Sequence, residues 1–292
     1  MILSHLVPFK IFETGFSTAP SIDDNRILCC PLDDKVLGVH KVASKTQHRT
    51  VQPPGPSEQG ISDAPKLAWE AFYPEGSINP SAPIPGGFSF YLSGPPEFKA
   101  RLASATEAVL SYRVMLQDDW EWAKGGKLPG PFGGVDDSAY SCSGGRKEQR
   151  CRCIGLRPMW RSNGVGELYT YLPLTERNSS QQLKVPPLSV ENPDYGISVG
   201  RGSFDFNSAV GNWITIAIRT KLNDIGAENG EVEVWIDGRR VISIDGLMLR
   251  ESDAHSIRGI QFQTFFGGHT PEWASPKDQR AWFADITGVI VT

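Results

Sequence analysis

One stretch of the sequence, from residue 124 to residue 161, concentrates side chains that could do chemistry. Its charged residues sum to +5, in a chain whose net charge is −4. A local excess of cations concentrates an oppositely charged ligand, so the stretch predicts a binding site for an anion. The basic residues are Lys124, Lys127, Arg146, Lys147, Arg150, Arg152, Arg157 and Arg161, and the acidic ones are Asp136, Asp137 and Glu148.

Two tyrosines, Tyr169 and Tyr171, follow this stretch and are two residues apart. On a β-strand that spacing places both phenols on one face. A phenol can transfer protons if neighbouring cations lower its pKa from about 10 toward the working pH. Cations beside paired tyrosines therefore suit the binding and deprotonation of an acidic sugar.

The periodicity around these residues predicts strands to position them. Residues 214–218 alternate between apolar and polar side chains, and so do residues 231–236, which an Asp237-Gly238 turn joins to residues 241–244. Asp-Gly between two alternating runs is a strong hairpin signal. Further strands are predicted over 108–116, 260–266 and 282–290, and one short helix over 96–105. Many short strands with Gly and Pro turns predict an all-β fold, an antiparallel β-sandwich or β-jelly roll.

The N-terminal part of the chain has a different composition. Residues 1–60 lack a strong hydrophobic period and include the Pro- and Gly-rich segment 53–60. We interpret them as a poorly ordered N-terminal arm or linker. The β domain is then expected over residues 61–292.

The composition narrows the classes of partner. With 39% hydrophobic residues the chain can bury a core, and it has no apolar run long enough to span a membrane. Its mild acidity argues against general nucleic-acid binding. We expect neither a membrane nor a nucleic-acid partner, and we expect a monomer.

Five cysteines leave the redox state open. Cys142 could form a disulfide with Cys151 or with Cys153, which would suit a secreted protein. The alternatives are free thiols and a metal site, and no histidine lies nearby in the sequence to complete a metal site. The N-terminus shows no clear signal peptide.

Seven segments, taken in order, resemble polysaccharide lyase family 14, and most closely its fungal branch. The resemblance covers about residues 67 to 291. A single segment would be a weak match, but this many in the same order is fairly specific. The segments are Trp69–Asn79, Lys124–Gly130, Cys142–Arg146, Met159–Arg161, Gly166–Pro173, Gln263–Gly268 and Trp273–Asp278.

The resemblance implies a β-jelly roll that cleaves a polyuronate, alginate or glucuronan, by β-elimination without a metal or other cofactor. It also implies an extracellular protein. The matching site positions are Lys127, Arg157, Tyr169 and Tyr171. One position departs from the pattern, because Gly155 stands where characterised members have a serine.

Elimination from a uronate requires that the carboxylate be neutralised, that the C5 proton be removed and that the leaving oxygen be protonated. Lys127 and Arg157 can neutralise the carboxylate. A tyrosine can act as the base and the acid, and we favour Tyr169 for both steps, with Tyr171 binding substrate. Fixed cations that stabilise the enolate-like charge should give the largest catalytic effect.

Six further polar residues are candidates for substrate binding, and each has a plainer interpretation. A lysine in a charge run is usually solvated, glutamines on a strand can form an ordinary polar face, and a loop histidine is usually a surface residue. Trp160 is expected in the core. The six candidates are Lys124, Arg146, Arg161, Gln261, Gln263 and His269.

Two rival functions remain open from the sequence. A glycoside hydrolase needs two carboxylates that flank the scissile bond, and Glu231, Glu233 and Asp237 lie near one another in the chain. The other rival is a non-catalytic protein that binds acidic carbohydrate, and Gly155 is consistent with it.

Overall fold

The computed structural model of the chain describes residues 2–56, 64–142 and 146–292. In these residues the strands form two sheets that pack face to face, and the main apolar cluster lies between them. The prediction of an all-β sandwich or jelly roll is confirmed. We call the two layers the back sheet and the front sheet.

The back sheet holds the longest predicted strands. Its main path runs in the order β15-β14-β13-β6-β17-β1-β2, and β4 pairs with β17 and β3. Its strands are β1 Thr14–Ser17, β2 Ile27–Cys29, β3 Arg49–Val51, β4 Ala68–Tyr73, β6 Glu107–Leu116, β13 Ile214–Lys221, β14 Gly230–Ile236, β15 Arg239–Leu247 and β17 Gln279–Ile290.

The front sheet runs in the order β11-β12-β10-β9-β7-β16-β5, and β8 pairs with both β16 and β9. Its strands are β5 Phe88–Leu92, β7 Gly125–Lys127, β8 Gly130–Gly134, β9 Cys153–Arg161, β10 Val165–Tyr171, β11 Val190–Glu191, β12 Ile197–Asp205 and β16 Ser256–Phe266.

Short helices and turns connect the strands. The predicted helix near residue 96 is α2, and the predicted hairpin turn is present with both Asp237 and Gly238 at positive φ, as a tight primed turn requires. Among the described residues no helix is both long and apolar enough to cross a membrane. The helices are α1 Ile2–Leu6, α2 Pro96–Leu102 and α3 Glu176–Leu183, and the 3-10 turns are Asp136–Ser141, Arg150–Arg152, Ser162–Gly164, Phe206–Ala209 and Pro271–Trp273.

The N-terminal segment differs from the poorly ordered arm predicted for residues 1–60. Within residues 2–56 it forms the helix α1 and three strands, which belong to the back sheet. In this segment Leu6, Phe16 and Leu37 are fully buried. Strands of three or four residues are too short for alternation to reveal them, which explains why the sequence pattern missed them. The predicted boundary near residue 60 lies outside the described residues.

Candidate active site

Alternation along β9 and β10 divides their side chains between the core and an outer surface. Leu156 and Leu168 point into the core, whereas Arg157, Tyr169 and Tyr171 point the other way. Arg157 is directly paired with Tyr169 in the antiparallel register, so their side chains emerge together. We call this outer surface of the front sheet the site face.

Lys127 reaches Tyr171 across the site face. Its ammonium Nζ donates a hydrogen bond of 2.9 Å to the Tyr171 hydroxyl. The same nitrogen lies 5.1 Å from the ring centroid of Tyr169 and 4.9 Å from that of Tyr171. The structure therefore brings the predicted lysine and both predicted tyrosines into one cluster.

The environment of Lys127 disfavours its charge. Burial lowers its pKa to about 7, and the positive charges of Arg157, Arg161 and Arg150 add to this effect. A lysine that titrates near neutral pH can exchange protons with a hydrogen-bonded phenol.

We expect the substitution Lys127→Met to stabilise the fold by about 1 kcal/mol at pH 6. The folded-state pKa of Lys127 is about 7 and its ordinary value is 10.5, so folding opposes its charged form. This penalty is largest below pH 7 and disappears as the pH rises past 10.5. Urea unfolding at pH 6 and pH 10 measures the difference.

The exposed Lys124 provides the matched control for this comparison. Its ammonium lies 3.0 Å from the Glu272 carboxylate, with both side chains about half exposed. Lys124→Met should change the free energy of unfolding by less than about 0.5 kcal/mol. A wild-type protein at least as stable as Lys127→Met at pH 6 would show that Lys127 is not destabilising.

Arg157 lies beneath the site face and is 3% exposed. Its Nε donates to the Leu128 carbonyl at 2.7 Å, one terminal nitrogen donates to Oε1 of Gln263 at 3.1 Å, and the other donates to the Gln263 carbonyl. These contacts use three of its five N–H groups and leave two for a ligand carboxylate. Gln261 donates in turn to Oε1 of Gln263 at 3.2 Å, so the predicted glutamine pair extends from the arginine.

Tyr169 has a different hydrogen-bond partner from Tyr171. Its hydroxyl accepts a hydrogen bond of 3.1 Å from the Gly196 N–H. Burial raises its pKa, against the opposing effects of that hydrogen bond and of the nearby Arg161. The two tyrosine rings meet edge to face at 5.4 Å.

Glu167 forms an ion pair with Arg161, which was a candidate for substrate binding from the sequence. The fully buried Glu167 carboxylate accepts from Arg161 at 2.8 Å and from Arg201 at 2.6 Å, and also from the Ser198 hydroxyl. Glu167 is therefore paired with Arg161 and Arg201. Arg161 still lies 5.9 Å from the Tyr169 ring centroid and contributes charge.

Arg150 belongs to the cluster although the sequence did not single it out from the basic stretch. It is 3% exposed, and its guanidinium lies 4.8 Å from the Tyr171 ring centroid. Its Nε has no hydrogen-bond partner among the described residues. It sits in a 3-10 turn between cysteines, where no strand period predicts the direction of a side chain.

The remaining candidates lie toward the edges of the site face. Lys124 immediately precedes β7 and pairs with Glu272, and the exposed His269 is in the loop that follows β16. Arg146 is exposed, and its carbonyl accepts from Arg150. The Trp160 side chain is 1% exposed and belongs to the core, as predicted.

A disulfide borders the cluster. Cys142 is bonded to Cys153, which resolves the two pairings left open by the sequence, and Cys151 is a free thiol. Gly155 lies opposite Tyr171 in the register. A Cβ atom added at Gly155 would meet the Cys142 carbonyl at 3.3 Å and the Tyr171 Cβ at 3.6 Å, so a small side chain would need little adjustment there.

The carboxylates of the rival hydrolase lie elsewhere. Glu231 and Glu233 are on β14 of the back sheet, where Arg219 bridges both and Arg240 binds Glu233. Asp237 occupies the hairpin turn and accepts from the Thr215 N–H. They are therefore on the other sheet from the cluster. Within the described residues, no group of three His, Cys, Asp or Glu side chains is placed to hold a metal ion.

The family model described as Polysaccharide lyase 14 matches residues 62–286. The crystal structure of the marine alginate lyase from Aplysia kurodai has 27% identity and a TM-score of 0.72, and the match covers 96% of this chain and 99% of that one.

Two viral proteins are also similar. Alginate lyase vAL-1 from Chlorella virus has 23% identity and a TM-score of 0.65 over 88% of this chain and 93% of that one, a likeness of fold. Exolysin of Paramecium bursaria Chlorella virus 1 is 27% identical over 172 residues, or 56% of this chain. That match spans only 26% of exolysin.

Proposed function

The chain belongs to polysaccharide lyase family 14, as its sequence resemblance predicted, and on this premise we propose that it cleaves a polyuronate by β-elimination. The substrate class is alginate or glucuronan. The single observation that carries the proposal is the hydrogen bond between Lys127 and Tyr171 on the face of the sheet that also carries the buried cation Arg157. That arrangement supplies both positive charge and a proton-transfer group at one place.

The first requirement of the reaction is neutralisation of the uronate carboxylate. The two remaining N–H groups of Arg157 suit a carboxylate, and Gln263 holds the guanidinium in a fixed orientation. When the C5 proton leaves, negative charge spreads onto this carboxylate as an enolate. Fixed cations stabilise that charge without reorganising during the step.

The second requirement is proton transfer, for which the contacts favour Tyr171. Lys127 donates to the Tyr171 hydroxyl and Arg150 lies over its ring, so a phenolate there is stabilised by two cations. Tyr169, favoured from the sequence, accepts from a backbone N–H instead. We therefore propose Tyr171 as the base and Tyr169 as a residue that positions the sugar.

The bonds that form and break are accounted for by the substrate together with Tyr171 and Lys127. The proton on C5 passes to the Tyr171 and Lys127 pair, and the electrons of the C5–H bond form the C4–C5 double bond. The C4–O bond breaks, and the departing oxygen takes a proton from the same pair. The products are a new reducing end and an unsaturated uronate.

We expect activity to rise with pH through about 7. Below that value Lys127 keeps its proton, whereas above it the neutral lysine can accept the proton of the hydrogen-bonded Tyr171 hydroxyl and leave the phenolate as the base. Arg150→Gln removes one of the charges that lower the pKa of Lys127, so it should move the acidic limb of the pH–rate profile to higher pH. Arg152→Gln, at an exposed position on the same turn, is the control, and an unmoved limb in Arg150→Gln would contradict this account.

Assays on three polyuronates test whether the protein has lyase activity. Ultraviolet absorbance of the protein mixed separately with glucuronan, mannuronate-rich alginate and guluronate-rich alginate reports the unsaturated product. A rise on one polymer identifies the substrate. The absence of a rise on all three, with binding retained, would favour the non-catalytic carbohydrate-binding alternative, with which the glycine at position 155, opposite Tyr171, is consistent.

The disulfide indicates the cellular location of the protein. A bond between Cys142 and Cys153 persists in oxidising compartments, so we propose that the protein acts outside the cell.

A further inference from the structure

The N-terminal segment extends the front sheet beyond its edge strand β5. His40 exchanges two backbone hydrogen bonds with Tyr91, of 2.8 and 2.9 Å, and the Ala43 N–H donates to the Ser89 carbonyl at 2.8 Å. Lys41, between these attachments, has a φ of 50°. This left-handed conformation is rare outside glycine. The segment lies outside the part of the chain that the family model matches.

This extension places His40 on the site face. His40 is directly opposite Tyr91, and Tyr91 is directly opposite Gln261, so all three side chains share one side of the sheet. Gln261 connects through Gln263 to Arg157 by hydrogen bonds. From β9 to His40 there are four interstrand steps, or about 19 Å at roughly 4.8 Å each.

His40 builds a group of hydrogen-bonding rings there. Its Nδ1 is 2.9 Å from the Gly38 carbonyl, which can only accept, so Nδ1 carries the proton. In the neutral histidine, Nε2 then accepts from the Tyr140 hydroxyl at 3.0 Å. The lone pairs of the Tyr140 oxygen stay available to a ligand hydroxyl. Tyr91 packs against Tyr140 edge to face at 4.8 Å.

The chemistry of this group matches a sugar acid. A sugar ring has an apolar face and a hydroxyl rim, and it suits partly exposed aromatic rings that carry hydrogen-bonding tips. His40, Tyr91 and Tyr140 are all partly exposed. Lys41 lies 4.4 Å above the Tyr140 ring and provides a cation for a carboxylate.

We propose that His40, Tyr91 and Tyr140 form a distal subsite that binds one uronate of the polymer several units from the bond cleaved. The proposal rests on the proposed function, and it gives the N-terminal segment a part in choosing long substrates over short ones. A polymer that crosses the strands along the site face contacts both Arg157 and His40, whereas a short oligosaccharide that occupies the Arg157 end does not reach His40.

The test compares KM for the polymer with KM for the shortest oligosaccharide that the enzyme cleaves. His40→Ala and Tyr140→Phe should each raise KM for the polymer about 3- to 10-fold, the loss expected for one hydrogen bond, and leave kcat unchanged. Neither should alter KM for the short substrate. His5→Ala, in the helix against the back sheet, should behave as wild type on both.

Either of two outcomes would overturn the subsite. One is an unchanged KM for the polymer in both variants, and the other is an equal rise in KM for the polymer and for the short oligosaccharide. Tyr140→Phe and His40→Gln preserve ring size or hydrogen bonding, so they separate local loss of contact from misfolding. If the wild type releases no unsaturated product, the proposed function fails, and equal affinity of wild type and His40→Ala for uncleaved polymer would then reject the subsite.

Discussion

We expect Tyr171→Phe to lower kcat by about 100- to 10,000-fold, the range for loss of a proton-transfer group, and to leave KM within a few-fold of wild type. The reason is that Lys127 donates to this hydroxyl and Arg150 lies over its ring, so Tyr171 is where a phenolate is most stabilised. Steady-state kinetics on the preferred polymer measures the effect.

Tyr169→Phe is the matched comparison for this result. It removes a hydroxyl that accepts only from the Gly196 backbone among its described hydrogen bonds, so activity should fall only about 3- to 10-fold. The reverse order, with Tyr169→Phe inactive and Tyr171→Phe active, would restore the assignment of Tyr169 as the base.

Arg157→Lys should lower kcat/KM by about 100- to 1,000-fold although the charge is retained. Lysine cannot reproduce the planar fork that meets the Leu128 carbonyl and both oxygens of Gln263. The lysine side chain would neither bind a carboxylate through two parallel hydrogen bonds nor keep Gln263 in position. Kinetics and urea unfolding, measured together, separate the loss of activity from the loss of stability.

Arg280→Lys is the control for this substitution. Arg280 is partly exposed on β17 of the back sheet, 3.7 Å from Glu70, so the exchange should change neither activity nor stability appreciably. Near-wild-type activity in Arg157→Lys would show that charge alone suffices and would remove the argument for two-point carboxylate binding.

The sequence predicted those parts of the fold in which the local period is long enough to read. Strands β13, β14 and β16 alternate over five residues or more, and the turn at Asp237-Gly238 carries its own signal. Alternation also placed Tyr169 and Tyr171 on one face. The choice of Lys127 and Arg157, in contrast, came from the family resemblance and not from any period.

The parts that the sequence missed depend on contacts between distant residues. Lys127 and Tyr171 are 44 positions apart, and Arg157 and Gln263 are 106 apart, so no local pattern reports that they meet. Arg150 was missed because its direction is set by a 3-10 turn beside the disulfide of Cys142. The N-terminal strands were missed because each is only three or four residues long.

The most direct test of the central claim is mass spectrometry of the oligosaccharides released from the preferred polyuronate in heavy-oxygen water. Elimination predicts products that carry the double bond and no heavy oxygen from solvent in the newly formed reducing end at early times. Hydrolysis would place one heavy oxygen in each new reducing end and leave no double bond. That second result would contradict the account, because it would require the paired carboxylates of a hydrolase instead of Lys127, Arg157 and Tyr171.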